Sequence, residues 1–208
     1  VLLAGYNESV TKAMADYSAT TYDRFMAPLE WLGLQAWRRQ MLRSVEPPIL
    51  EIGVGTGASL RWYPETALVV AMDREASMVG PARDRALMVE RPIAIGQMDV
   101  QYLAFRDQVF SCVVTSLVFC SVADPLRGLY EVRRVLRPGG RLFMLEHVRP
   151  AHPLLGGLAD ILDAPWHSFS QECHLNRRTA DTVMAAGFTL ELVHSKLFGA
   201  INLIVARK

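Results

Sequence analysis

Apolar positions recur along the chain with two distinct periods. Over Glu30–Val45, Trp31, Leu34, Trp37, Met41 and Val45 stand at helical spacing, which predicts an amphipathic helix packed on the domain that follows. Glu46-Pro47-Pro48 ends it, because proline disfavours helix at its own position and at the one before. Apolar runs follow at Ile49–Gly53, Ala67–Asp73, Pro92–Met98, Phe110–Ser116 and Gly140–His147, each read as a strand. The first, fourth and last are apolar nearly throughout, as strands buried on both faces are, and belong near the sheet centre. Between strands, Asp124-Pro125 supplies an N-cap and a first-turn proline, and Leu126, Leu129, Val132 and Leu136 form one helical face that Pro138-Gly139-Gly140 terminates. Glu75–Met88 also reads as helix, with Gly80-Pro81 expected to break or kink it.

Regular alternation lapses after His147. Residues 149–175, rich in Pro, Gly, His and aromatic residues, read as a substrate-shaping insertion. Asn176 is a candidate cap for a helix ending at Gly187, and Phe188–Lys196 and Ala200–Ala206, joined by Leu197-Phe198-Gly199, predict a terminal antiparallel hairpin. The pattern is that of one α/β domain over residues 1–208, a mostly parallel sheet with helices on both faces, in which residues 1–46 form a helical segment over the site.

Composition narrows this picture only a little. The 208 residues are 51% hydrophobic, with 22 Lys and Arg against 21 Asp and Glu, so no charge bias points to nucleic acid. Cys112, Cys120 and Cys173 are too few and too irregularly spaced for a disulfide scaffold, which favours a reducing, cytoplasmic setting. The opening Val-Leu-Leu-Ala-Gly has no charged leader, and no run approaches the roughly 20 apolar residues of a membrane span. Neither export nor a membrane span is expected; peripheral membrane contact and oligomeric state stay open.

The chemistry concentrates at Leu50-Glu51-Ile52-Gly53-Val54-Gly55-Thr56-Gly57, a strand end running into a helix. Gly53-Val-Gly55-Thr-Gly57-Ala58 also fits the dinucleotide pattern, with Asp73 about 20 residues on. Three features count against that reading. Glu51 puts a carboxylate in an apolar strand, where burial is costly without a cation nearby; an aminoacyl ammonium suits it and a pyrophosphate does not. A further acid, Asp99, follows the third strand in Gly96-Gln-Met-Asp99-Val100, where an adenine amino group is a fitting donor. Leu136-Arg-Pro-Gly-Gly140 precedes the fifth strand.

Together these motifs resemble those of the class I S-adenosylmethionine-dependent methyltransferases. Gly57-Ala-Ser-Leu-Arg-Trp-Tyr-Pro64, Leu117-Val-Phe-Cys-Ser-Val122, Leu145-Glu-His-Val148 and Leu162-Asp-Ala-Pro-Trp-His167 are similar to the type 11, UbiE-like branch near the thiol and bacterial phospholipid methyltransferases. The resemblance implies a Rossmann-like seven-stranded sheet and S-adenosyl-L-methionine as cofactor, with S-adenosyl-L-homocysteine as product. It implies that Gly53, Gly55 and Gly57 border the cofactor, Glu51 supports its methionine end, Asp73 binds the ribose, and Asp99 with Val100 binds adenine. Met72, Arg74, Met78 and Met98 would line the ribose and adenine region, Ser116 and Leu117 the opposite wall, and Tyr17 would fold over the cofactor with Tyr22.

A sulfonium methyl is already activated, so such an enzyme chiefly aligns the partners and excludes water. His147, at the end of the fifth strand, is the first candidate to touch the acceptor, followed by His167 and Tyr22; a capping or packing role remains the alternative for each. No metal site is expected from His167, Cys173 and His174, which lack zinc spacing. The acceptor is expected to be a small, lipophilic molecule, with thiol, quinone-like carbon and lipid amine all open. The rival readings are a non-catalytic cofactor-binding sensor or subunit and an NAD-dependent oxidoreductase.

Overall fold

The computed structural model describes residues 19–89, 91–169 and 173–208. Seven strands form one sheet: β1 (Ile49–Ile52), β2 (Val69–Asp73), β3 (Ile93–Gln97), β4 (Phe110–Ser116), β5 (Leu136–His147), β6 (Thr189–Lys196) and β7 (Ile201–Arg207). Their order is β3-β2-β1-β4-β5-β7-β6, with β1 to β5 parallel and β7 antiparallel to both its neighbours. The apolar runs β1, β4 and β5 lie in the middle, as their two-sided hydrophobicity requires.

Alternation along each strand feeds two cores. Leu50, Ile52, Val113, Leu142 and Met144 face one, together with Leu129 and Val132 of α3 (Pro125–Val135) and Val183 of α5 (Thr179–Ala185). Ile49, Val69, Val114, Phe143 and Leu145 face the other, with Met41 and Leu42 of α1 (Gln35–Leu42) and Ala82 of α2 (Ala76–Ala86). Each fully buried large side chain contributes roughly 1.5–3 kcal/mol. Asp124 caps α3, its carboxylate accepting the Arg127 N–H at 3.0 Å, and Pro125 occupies the first turn.

Three local expectations are corrected, and the insertion takes a definite form. Residues 19–29 are helical, and a π-turn at Glu30–Leu34 with Gly33 at φ 127° separates them from α1. That turn breaks the 3.6-residue period and rotates Trp31 out to 87% exposure, while Leu34, Met41 and Val45 remain buried. Helix α2 runs through Gly80-Pro81 without interruption, because Val79 and Ala82 anchor it on either side and the proline sacrifices a single backbone bond. The insertion is mostly one helix, α4 (Pro153–Phe169), despite Pro165. Arg178, not Asn176, stands at the N-cap of α5.

Candidate functional site

The loops beyond β1 to β4 meet where the sheet order reverses, between β1 and β4, which is where open α/β sheets hold ligands. Directly after β1 the chain turns back on itself, and the Gly53 and Val54 N–H groups donate to the Met72 carbonyl at 2.8 and 3.0 Å. Gly53 has φ 69°, and a Cβ there would lie 2.2 Å from the Val118 side chain. Gly55, φ 55°, has nothing within 4 Å of its missing Cβ. The first glycine is thus required by packing, and the second keeps space open. Asp73 closes the loop, accepting the Gly55 N–H at 2.8 Å and the Glu75 N–H at 2.9 Å. Burial raises the pKa of its carboxyl, and these two N–H groups oppose the shift.

A cleft of about 520 Å3 opens here, walled by Gly53, Gly55, Asp73, Arg74, Met78, Met98, Asp99, Val100, Ser116, Leu117 and Tyr22. Residues from four separate segments of the expected cofactor set are therefore brought to one place. Asp99 accepts the Gln101 N–H at 2.8 Å, and Gln101 in turn accepts the Asp124 N–H at 3.0 Å. The turn geometry expected of such an aspartate is present alongside its position on the cleft. Met72 is not on the wall: its side chain is buried in the core and only its carbonyl serves the loop. Tyr17 lies outside the described residues.

A second cleft, about 720 Å3, lies between residues 22–38 and the glycine loop; Gly57, Met26, Trp31, Arg38, Arg61 and Arg85 are on its wall. The two clefts share Tyr22, Gly53, Gly55 and Ser116. The helical segment 19–29 is clipped across the loop by Asp23, which accepts the Thr56 hydroxyl at 2.7 Å and pairs with Arg85; Arg85 also donates to Thr56 at 2.7 Å. Burial pushes the Tyr22 phenol up to about 12, with Arg38 opposing. A phenol so placed keeps its proton at neutral pH, which suits it to donating a hydrogen bond and not to acting as a general base.

Glu51 stands behind the wall, on neither cleft, and only 2% exposed. Burial pushes its carboxyl up to about 7, with the neighbouring Ser59 and Tyr63 hydroxyls and the charge of Arg38 opposing. Its Oε2 has no hydrogen-bond partner. An uncompensated buried carboxylate is costly, and a cation approaching the loop would repay part of that. Arg38 escaped the sequence reading: itself buried, it donates to both Glu30 oxygens at 2.8 and 2.9 Å and to Ser116 Oγ at 3.4 Å.

Glu146 was also missed, although it carries the same signal as Glu51, an acid inside an apolar strand. Wholly buried, it accepts the Thr115 hydroxyl at 2.7 Å and the Val118 N–H at 3.0 Å, bracing the loop where Leu117 adopts φ 59°. Burial pushes it up to about 7, with these donors opposing. The histidines lie off the clefts. His147 ends β5 with its Nδ1 buried and unpartnered, and burial lowers its pKa. His167 stacks on His174 with ring centroids 4.5 Å apart, and His174 Nδ1 is 3.0 Å from Asp163. Among the described residues no cluster of His, Cys, Asp or Glu forms a metal site, and no helix is long and apolar enough to cross a membrane.

A parallel sheet of this order, closed by an antiparallel hairpin, with a glycine turn after β1 and an acid ending β2, defines the class I methyltransferase architecture. The comparisons agree. Residues 50–144 match the model for the methyltransferase domain. Thiol S-methyltransferase TMT1B of Rattus norvegicus is 36% identical over 152 residues, covering 70% of this chain and 62% of that protein. The chain thus spans less than two thirds of that relative. Phosphatidylethanolamine N-methyltransferase of Cereibacter sphaeroides is 34% identical over 140 residues, covering 64% of this chain and 68% of that protein. An S-adenosylmethionine-dependent methyltransferase of Mesorhizobium loti, solved as a crystal structure, shares the fold with a TM-score of 0.63 at 19% identity, over 86% of this chain and 97% of that one. The chain belongs to the S-adenosylmethionine-dependent methyltransferases, in the branch that holds these thiol and phospholipid enzymes.

Proposed function

We propose that this chain transfers a methyl group from S-adenosylmethionine to a small lipophilic acceptor. The observation that carries the reading is the pair of joined clefts: one walled by Asp73, Met78 and Asp99, the other opening from the same glycine loop under residues 22–38. The first has a volume within the roughly 300–1,000 Å3 usual for small-molecule sites. When bound, S-adenosylmethionine supplies the activated methyl.

In this reading Asp73 accepts from the ribose hydroxyls while holding Gly55, and Asp99 with the Val100 backbone meets adenine. Gly53, Gly55 and Gly57 leave the methionine end room, with Glu51 behind the loop and the Arg38–Glu30 ion pair beside Ser116. Tyr22, at the junction of the clefts, donates a hydrogen bond and shields the reacting centre from water. Residues 22–38 act as the cover, and α4 shapes acceptor access. His147 and His167, lying off both clefts, take part only if the acceptor reaches the end of β5. Free cysteines, as Cys112, Cys120 and Cys173 are, suit a reducing compartment such as the cytoplasm.

The printed names of the relatives support thiol and lipid-amine acceptors first. The test is transfer of labelled methyl to an alkyl thiol, a quinol and a phosphatidylethanolamine, each with wild type and Asp73→Ala. Transfer to one of them, lost in the variant, is expected. Cofactor binding with no transfer to any of the three would favour the non-catalytic binding reading instead.

A further inference from the structure

The cysteines outside the clefts form a unit the methyl-transfer reading does not use. Cys120 follows β4 and is buried; Cys173 is half-buried and follows α4 in the chain. Their thiols lie close enough for each to shift the ionisation of the other. The backbone fixes this contact from both sides: His174 N–H donates to the Cys120 carbonyl at 2.9 Å, and Arg177 Nη1 donates to the Phe119 carbonyl at 2.9 Å. Trp166 of α4, the Arg177 guanidinium and the buried Glu146 carboxylate complete the surroundings of the pair.

The two sulfurs are not equivalent. Its interaction with Cys120 lowers the Cys173 thiol, with Trp166 and Arg177 acting the same way and burial opposing; Cys120, the more deeply buried of the two, is raised. Cys112, the third cysteine, is buried in β4 with its sulfur accepting the Glu46 N–H at 3.3 Å, and burial raises it too. One thiol is therefore set up to attack and its neighbour to resolve, an asymmetry found at oxidation-sensitive cysteine pairs.

We propose that Cys173 and Cys120 are a peroxide-reactive modification site that closes to a disulfide. The Cys173 thiolate attacks a hydroperoxide, its sulfur bonding the hydroxyl oxygen as the O–O bond breaks; the other oxygen leaves as hydroxide or alkoxide and takes a proton from solvent to give water or alcohol, and Cys173 becomes a sulfenic acid. The Cys120 sulfur then attacks that sulfur, the S–O bond breaks, the hydroxyl leaves as water with the Cys120 proton, and the disulfide forms. Two electrons pass from the thiols to the peroxide. The bond ties the segment after α4 to the loop whose neighbours Leu117, Val118, Ser121 and Val122 wall the 520 Å3 cleft.

The site stands independently of the methyl-transfer reading, and its test reads mass, not activity. The full chain is treated with graded hydrogen peroxide, quenched by alkylation and mapped by peptide mass spectrometry. A linked Cys120–Cys173 peptide two hydrogens lighter than its parts, reversed by dithiothreitol, is expected while Cys112 stays reduced. Cys120→Ser is expected to abolish the link and leave a dimedone-reactive sulfenic acid on Cys173. In untreated wild type, where folding of a variant is not at issue, iodoacetamide is expected to label Cys173 with a pH midpoint below that of an ordinary thiol. The proposal is overturned if Cys112 enters the linkage, if Cys173 passes to sulfinic acid with Cys120 present, or if its alkylation midpoint is that of a free thiol.

Discussion

Replacing Glu51 by Gln should stabilise the protein at pH 8 and change little at pH 5. The carboxyl is buried, pushed up from 4.5 to about 7, and one oxygen has no partner. Between those two values the folded chain retains a proton that the unfolded chain has released. Stability therefore falls as pH rises through that window, and the cost is fully developed above pH 7. That displacement corresponds to on the order of 3 kcal/mol. Gln keeps the shape of the protonated acid and removes the titration, so a gain of roughly 1–3 kcal/mol at pH 8 is expected. Glu146 titrates over the same range, but it is present in both proteins and cancels in the difference. Urea unfolding of wild type and variant at pH 5 and pH 8, at one ionic strength, reads the effect. A variant less stable than wild type at pH 8, or a gain equal at both pH values, would refute the reasoning.

Substitutions at four further positions separate packing from function. Gly53→Ala should unfold the loop or the chain, because its Cβ would meet Val118 at 2.2 Å, whereas Gly55→Ala should cost only about 1–2 kcal/mol of left-handed strain while weakening S-adenosylmethionine binding. Thermal melts with calorimetric titrations distinguish the two. Glu146→Ala leaves the Thr115 hydroxyl and Val118 N–H without an acceptor and should destabilise by roughly 2–4 kcal/mol in urea titrations, with Glu146→Gln less affected. Tyr22→Phe removes the phenol donor and keeps the ring: steady-state rates with an accepted substrate should show a lower turnover with no shift in pH optimum, since the phenol stays protonated throughout the working range.

The legible parts of the fold are those written in adjacent residues. Asp124-Pro125 fixes a helix start, the apolar runs of β1, β4 and β5 place them centrally, and the glycine turn with Asp73 and Asp99 falls on one cleft because strand ends in a parallel sheet point the same way. What was missed depends on packing between distant segments. The Gly33 turn that frees Trp31 has no signature in the helical period around it, and α4 forms in the stretch where regular alternation lapses. Arg38 reads as one polar residue on a helix until Glu30 and Ser116 close around it. Glu146 carried a visible signal, a charge among apolar neighbours, and the same argument applied to Glu51 finds it. The Cys120–Cys173 contact joins residues brought together by α4 and by the loop after β4, which spacing alone does not reveal.

Calorimetric titration of the purified chain with S-adenosylmethionine and, separately, NAD shows whether the 520 Å3 cleft holds S-adenosylmethionine. Binding of S-adenosylmethionine alone is expected, weakened roughly tenfold or more by Asp73→Ala, which removes the acceptor of the Gly55 N–H and the proposed acceptor of the ribose, and also weakened by Asp99→Ala. Binding of NAD without S-adenosylmethionine, or affinity for S-adenosylmethionine unchanged by both substitutions, would contradict that assignment.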